Sequence, residues 1–148
     1  MFKTIHFPIK GTFYYAAELA IENDLLPLHA PLIFKAEPDN TYDAYAIQIW
    51  CPVTKKTHPS VNDTDKKRNG LLLGYVPRQL APSLCHCLKS GYPLNPQVIH
   101  RAKKGKLIEI DCAVELHLPW QQGLKISLIN LWIIQQQFFK KLRYFFYH

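Results

Sequence analysis

Eleven prolines spread through the 148 residues restrict the fold of this chain more than any other feature. Proline lacks a backbone N–H and interrupts helices and sheets, so this content favours many short elements joined by turns over long helices. Hydrophobic residues make up 48% of the chain, which is enough for the core of one ordinary domain. We therefore expect a folded domain over residues 1–120 and a separate C-terminal segment over residues 121–148.

Short apolar runs rich in β-branched and aromatic residues predict six strands. These runs cover residues 4–9, 32–35, 44–50, 71–77, 97–100 and 107–116. Helical composition or a four-residue apolar spacing predicts two helices, at residues 16–21 and 78–89. Residues 52–70 are polar and predict an extended loop between two paired strands. The pattern predicts a mainly β, α+β fold with two short helices, either a small barrel or a curled sheet.

The C-terminal segment is both apolar and basic. It carries four basic residues and no acidic one, so it holds +4 of the formal net charge of +7. A helix and an additional strand both fit its apolar pattern, and the helical stripe is formed by Leu124, Leu128, Leu131, Phe138, Leu142 and Phe145. Two roles remain open: an element packed on the domain or on a partner protein, or an amphipathic segment on an anionic membrane.

Charge and motifs limit the classes of function. The basic balance favours phosphate-rich partners, which are nucleic acid or an anionic membrane surface. The six glycines form no phosphate-binding loop, no serine has a nucleophile-elbow context, and the histidines show no metal-pair spacing. The four cysteines fit no zinc pattern and predict reduced thiols in a cytosol-like compartment. We therefore expect no catalysis, no metal and no cofactor.

Exposed tyrosines near turns give the best indication of a site. Tyr14 and Tyr15 follow a glycine, Tyr42 lies in a turn, and Tyr75 precedes the second helix. A tyrosine ring offers a face for base stacking, and its hydroxyl binds phosphate or sugar. Arg78 is predicted to open the second helix, where free backbone amides attract anions. Composition alone nevertheless favours the plainer interpretation, ordinary tyrosines on a barrel surface.

Three motifs in order support the more specific interpretation. They are GTFYY at residues 11–15, EPDNTYDAYAIQI at 37–49 and LGYVPRQLAPSL at 73–84. Their sequences and gaps resemble the HIRAN domain over roughly residues 4–118, within the expected domain of residues 1–120. The resemblance implies a modified, OB-like β-barrel with two helices, which occurs alone or attached to DNA-remodelling ATPase motors. The expected partner is single-stranded DNA, gripped at its free 3′-hydroxyl end, and a DNA-processing enzyme is a further candidate partner.

The resemblance also implies roles for particular residues. Asp43 would accept a hydrogen bond from the terminal 3′-hydroxyl, and Tyr42 would pack beside the terminal nucleotide. Tyr14 and Tyr15 would line the pocket and contact base and phosphate. A carboxylate amid positive charge repels internal phosphates and accepts a sugar hydroxyl, so it distinguishes an end from a continuous strand.

The remaining implied contacts go to the backbone phosphates, from Tyr75 and Arg78. Phe13, Lys35 and Trp120 are auxiliary candidates, Lys35 as a substitute cation and Trp120 as an added stacking surface. The side chain of Lys35 is expected to point to the opposite face of its strand.

The sequence departs from the family pattern at three positions. Phe13 and Ala36 replace arginines, and Thr41 replaces a proline. Two cations are thus lost, which predicts weaker phosphate binding. The alternative function is a protein-interaction or membrane-peripheral module that keeps the barrel and has lost DNA binding.

Overall fold

The computed structural model describes residues 2–53, 70–117 and 120–147. The predicted loop at residues 52–70 therefore lies almost wholly outside the described residues. The elements, in chain order, are β1 (Phe2–Pro8), α1 (Ala17–Glu22), β2 (Ile33–Ala36), β3 (Ile47–Pro52), β4 (Gly70–Tyr75), α2 (Ala81–Lys89), β5 (Gln97–Lys104), β6 (Leu107–His117) and α3 (Trp120–Tyr147).

The strands form two antiparallel sheets, in the orders β1-β6-β5 and β2-β3-β4. Two isolated bridges join the sheets at both pairs of edges. Lys10, just after β1, pairs with Tyr75 on β4, and Pro31, just before β2, pairs with Gln97 on β5. The prediction of a mainly β fold with short helices is confirmed. The finer expectation of an OB-like barrel stays a prediction.

The core lies between the sheets and is built from alternating strand residues. In β6, Ile108, Ile110, Cys112, Val114 and Leu116 are all buried, as the period of two predicts for a strand with one face on the core. The four cysteines are free and buried, in agreement with the prediction of reduced thiols. Burial raises the pKa of the Cys51 thiol to about 11, so this thiol stays protonated at neutral pH.

Three predicted boundaries differ from the structure by three residues or more: the start of β3, the start of α2, and the end of β5, which continues to Lys104 and not only to residue 100. β3 begins at Ile47 and not at residue 44, because residues 43–46 close a hydrogen-bonded turn in which Ala46 N donates to Asp43 O over 3.1 Å. α2 begins at Ala81, three residues later than predicted. Leu80 N and Ala81 N both donate to Pro77 O, so Arg78 lies in the turn before the helix.

The C-terminal segment is a helix of 28 residues, α3. All eleven prolines precede it, which explains why a long helix forms here although the domain contains short elements. α3 packs along β1: Asn130 Nδ2 donates to His6 O, and Lys3 Nζ donates to Ser127 Oγ. The buried positions are Gly123, Ile126, Asn130 and Ile133, at spacings of three and four. Most of the predicted apolar stripe lies on the opposite, exposed side of α3.

Candidate nucleic-acid interface

The turn before β3 is fixed by its own polar side chains. Asn40 Oδ1 accepts hydrogen bonds from Tyr42 N at 2.9 Å and Asp43 N at 3.0 Å. Asp43 Oδ1 accepts one from Tyr45 N at 2.9 Å. Such Asx contacts let a short side chain replace backbone pairing in a turn. They hold Tyr42 and Asp43 at a defined place on the surface.

Gly74 brings a second segment to the same place. Lys10 N donates to Tyr75 O, and Tyr75 N donates to Lys10 O, each at 2.8 Å. A Cβ atom at Gly74 would lie only 2.2 Å from Lys10 O. The glycine of the GYVP segment therefore permits the close approach that joins β1 to β4.

The Tyr75 side chain is held by Glu37. Its hydroxyl donates to Glu37 Oε2 at 2.7 Å, and Asn40 Nδ2 donates to the same oxygen at 3.2 Å. Chiefly the Tyr75 hydrogen bond lowers the pKa of Glu37. Desolvation first, and then this carboxylate, raise the pKa of Tyr75 to about 12. Tyr75 thus remains a neutral phenol at physiological pH, with a fixed ring orientation.

These segments enclose an open groove of about 400 Å³. Four of the predicted residues line it: Tyr42, Asp43, Tyr75 and Arg78. The remaining lining residues were not predicted, and they are Lys10, Asn40, Val76 and Gln79. The structure therefore brings together residues from three separate parts of the chain, and they place two cations, two tyrosines and one carboxylate at one groove.

Arg78 connects the two turns that border this groove. Its Nη2 donates to Tyr42 O at 3.3 Å. This contact joins the turn before α2 to the turn before β3. The guanidinium carries five donor hydrogens, so one contact leaves the group able to bind phosphate as well.

The aromatic residues of the GTFYY segment differ in their position relative to the groove. The Tyr15 ring lies 5.6 Å from the Tyr75 ring, centroid to centroid, and extends the aromatic surface beside the groove. Tyr14 is 80% exposed and does not line the groove; its ring meets the edge of the Phe13 ring at 5.5 Å. Phe13 itself is 63% exposed. Tyr15 is therefore placed for a role at this groove, whereas Tyr14 and Phe13 form a separate exposed pair.

Lys35 and Trp120 are the other two auxiliary candidates, and neither is among the described residues that line the groove. Lys35 Nζ sits 4.5 Å from the centroid of the Trp50 ring, a cation–π contact. Lys35 does not line the groove, as expected for a side chain on the other face of β2. Trp120 is the first residue of α3, and its side chain lies outside the part that the structure describes.

Lys10, which was not among the predicted site residues, adds a cation to the groove. Lys10 lines the groove, and desolvation together with the positive charge of Lys140 lowers its pKa. The register of α3 on β1 explains this proximity. Asn130 lies at His6, and ten further helical residues rise about as far as four extended ones, which places Lys140 near Lys10. Sequence offers no signal for this pair, because tertiary packing alone brings Lys140 on α3 near Lys10.

Asp43 keeps one free carboxylate oxygen. It is half-buried, and it forms no ion pair with any residue that the structure describes. Its Oδ1 accepts from Tyr45 N, whereas Oδ2 has no hydrogen-bond donor among the described residues. The carboxylate thus faces a groove that also contains Tyr75 and Arg78, and one acceptor remains open.

Fold and groove together define a small, mainly β binding module, with ring faces, cations and one open carboxylate at a shared surface. Residues 2–119 match the family model of the HIRAN domain. This covers most of the chain, which therefore belongs to the HIRAN domain family. HIRAN domains are in general DNA-binding modules.

The crystal structure of the HIRAN domain of human HLTF is similar to this chain. The two are 14% identical in sequence, the similarity covers 85% of this chain and 84% of that one, and the TM-score is 0.48. No curated protein sequence matches this chain.

Proposed function

We propose that this protein binds single-stranded DNA in the groove between Asp43 and Arg78, and that it recognises the free 3′-hydroxyl end. The family supports DNA binding as the general activity. The single observation that carries the finer proposal is Asp43, a half-buried residue that lines the groove together with two tyrosines and two cations and whose Oδ2 has no donor among the described residues.

The carboxylate gives the preference for an end. A terminal ribose presents an O–H donor, and an ionised carboxylate is an acceptor only. A 3′-phosphate presents no such donor at physiological charge and is repelled by Asp43. At about 4–5 Å in a partly hydrated groove, this repulsion amounts to about 1–2 kcal/mol, or roughly 5–30-fold in affinity.

The other groove residues hold the rest of the strand. Tyr42 and Tyr15 offer exposed rings for stacking, which contributes about 1–3 kcal/mol per base in single-strand binders. Arg78 and Lys10 bind phosphate oxygens, and Lys140 adds a third cation from α3. The chain itself performs no chemistry on the DNA; it acts as a binding module.

The deciding experiment compares two labelled oligonucleotides that differ only in a 3′-hydroxyl or a 3′-phosphate. Wild-type protein should bind the hydroxyl form roughly 5–30-fold more tightly. Asp43→Asn keeps an oxygen for Tyr45 N and removes the charge, so the two oligonucleotides should bind it almost equally. Equal binding of both oligonucleotides by the wild type would contradict the proposed recognition of the 3′-hydroxyl end.

Asp39→Asn is the matched control. Asp39 is an exposed carboxylate on the same turn, outside the groove lining. Its replacement changes the net charge by the same amount and should leave the preference for the 3′-hydroxyl intact. If both variants lose the preference equally, general electrostatics and not the position of Asp43 is responsible.

A further inference from the structure

The helix α3 has two apolar sides, and the domain uses only one of them. Its inner side, centred on Ile126, Asn130 and Ile133, is buried against the domain. The opposite side, which we call the outward face, exposes six large apolar residues. They are Leu124, Leu128, Leu131, Phe138, Phe139 and Phe146.

The outward face is large for a surface patch. Leu128 is 66% exposed and Leu131 is 63% exposed, while Phe138 and Phe146 are 60% and 77% exposed. A phenylalanine carries about 150–250 Å² of surface, so these two alone expose on the order of 300 Å². A typical monomer rarely exposes a contiguous apolar patch beyond about 300–600 Å², and such patches mark interaction sites.

The charges around the outward face favour an anionic partner. α3 contains Lys125, Lys140, Lys141 and Arg143 and no acidic residue. With 3.6 residues per turn, Arg143 and Lys141 project about 100° to either side of the centre of the outward face. Long cationic side chains at the flanks of an apolar face can reach anionic headgroups while the face enters the lipid.

A second copy of the chain fits this face less well. Paired helices that recognise each other place opposite charges beside a narrow apolar seam. Two copies of α3 would bring only cations together. The outward face is also wider than such a seam, since Phe138 and Phe139 project about 100° apart around the helix.

The helix is suited to lie on a bilayer and not to cross it. Gln135, Gln136 and Gln137 interrupt the apolar sequence at its middle. Within the described residues, no helix has the length and apolar character that a membrane crossing requires. We propose that the outward face of α3 binds the surface of an anionic lipid bilayer, with the helix axis in the plane of the interface.

Flotation of the full chain with vesicles tests this proposal. Wild-type protein should float with vesicles of phosphatidylcholine and phosphatidylserine and remain unbound with phosphatidylcholine alone. Lys141→Gln combined with Arg143→Gln should weaken binding about 25-fold, since each cation near an anionic surface contributes about 5-fold. The matched control is Lys104→Gln with Lys106→Gln, two exposed lysines of the β5–β6 turn region, and it should bind like the wild type.

A second pair of variants tests the apolar contact. Leu128→Gln with Leu131→Gln should weaken vesicle binding by at least about 10-fold, because both side chains would enter the lipid. The control replaces Leu28 and Leu107, which are 61% and 57% exposed elsewhere on the domain. Far-UV circular dichroism of each variant verifies that the helix is retained.

Three results would overturn the proposal. The first is a wild-type protein that does not float with anionic vesicles. The second is an equal loss of binding in the test and control pairs, which would place the contact elsewhere. The third is a wild-type dimer, found by light scattering, that Leu128→Gln with Leu131→Gln converts to a monomer while neither protein floats; the outward face would then pair two copies.

Discussion

Replacing Gly74 with alanine tests the contact that builds one side of the groove. An added Cβ would lie 2.2 Å from Lys10 O and 2.8 Å from the Cγ2 atom of Ile9, and real Cβ contacts essentially never fall below 3.0 Å. The segment after β1 must therefore withdraw from β4. The two hydrogen bonds between Lys10 and Tyr75 then lengthen or break.

The structure sets the size of the effect. Two backbone hydrogen bonds contribute about 1 kcal/mol each, and overpacking a close contact costs about 1–3 kcal/mol. The free energy of unfolding of Gly74→Ala should therefore fall by about 3–5 kcal/mol, from a total of roughly 5–15 kcal/mol. For a chain of this size the melting temperature should drop by about 10 °C. DNA binding should weaken as well, because Lys10 and Tyr75 both line the groove.

Urea unfolding followed by circular dichroism measures this change, and Gly105→Ala provides the control. Gly105 has a φ of +61° with nothing within 4 Å of an added Cβ. Alanine there meets backbone strain without a clash and should cost about 1 kcal/mol. A Gly74→Ala protein that is no less stable than Gly105→Ala would refute the close approach of Lys10 to β4.

Two further predictions concern charge at the groove. The folded protein holds the pKa of Glu37 below 4.5, so the stabilising contribution of its carboxylate is complete above that pH and is lost as pH falls through the folded value. Glu37→Gln should therefore cost about 1 kcal/mol in urea unfolding at neutral pH, with no difference from wild type in strong acid; a difference independent of pH would contradict the role of the charge. Lys140→Gln should make the logarithmic salt dependence of single-strand binding shallower by about 0.7, whereas Lys125→Gln on the same helix should leave it unchanged, and identical slopes for both variants would exclude Lys140 from the phosphate contacts.

The strands were predictable because their pattern is local. In β6 the alternation of Ile108, Ile110 and Cys112 with more polar residues follows from burial of one face, and the structure has the same period. The start of α2 was harder to predict, because a turn hydrogen-bonded to Pro77 O precedes it and uses residues of helical composition. The first residue of such a helix depends on which backbone carbonyl accepts the hydrogen bonds of the first amides, and amino-acid composition does not determine that carbonyl.

The face by which α3 packs on the domain could not be predicted from the sequence, because it is not the most apolar face of the helix. Its apolar stripe is real, but the side buried on β1 includes Gly123 and Asn130 and not the leucines at 128 and 131. Asn130 is favourable there because its amide donates to His6 O, a partner that exists only after folding. The same packing sets Lys140 beside Lys10, so the cationic rim could not be deduced from spacing along the chain. Tyr42, Asp43, Tyr75 and Arg78 were deduced from a family resemblance, and they share one groove.

The charge balance of the groove indicates how binding must work. Lys10 and Arg78 line it together with Asp43, and Glu37 lies directly behind Tyr75. Three cations, counting Lys140 from α3, are opposed by two carboxylates, so the net charge is small and counterion release from internal phosphates contributes less than in a strongly basic cleft. Under the proposed function, affinity then comes mainly from ring stacking and from the hydrogen bond at the strand end, both of which depend little on salt. A protein that recognises strand ends benefits from nearly balanced charges in its groove, because a purely cationic groove would bind continuous strands as well as termini.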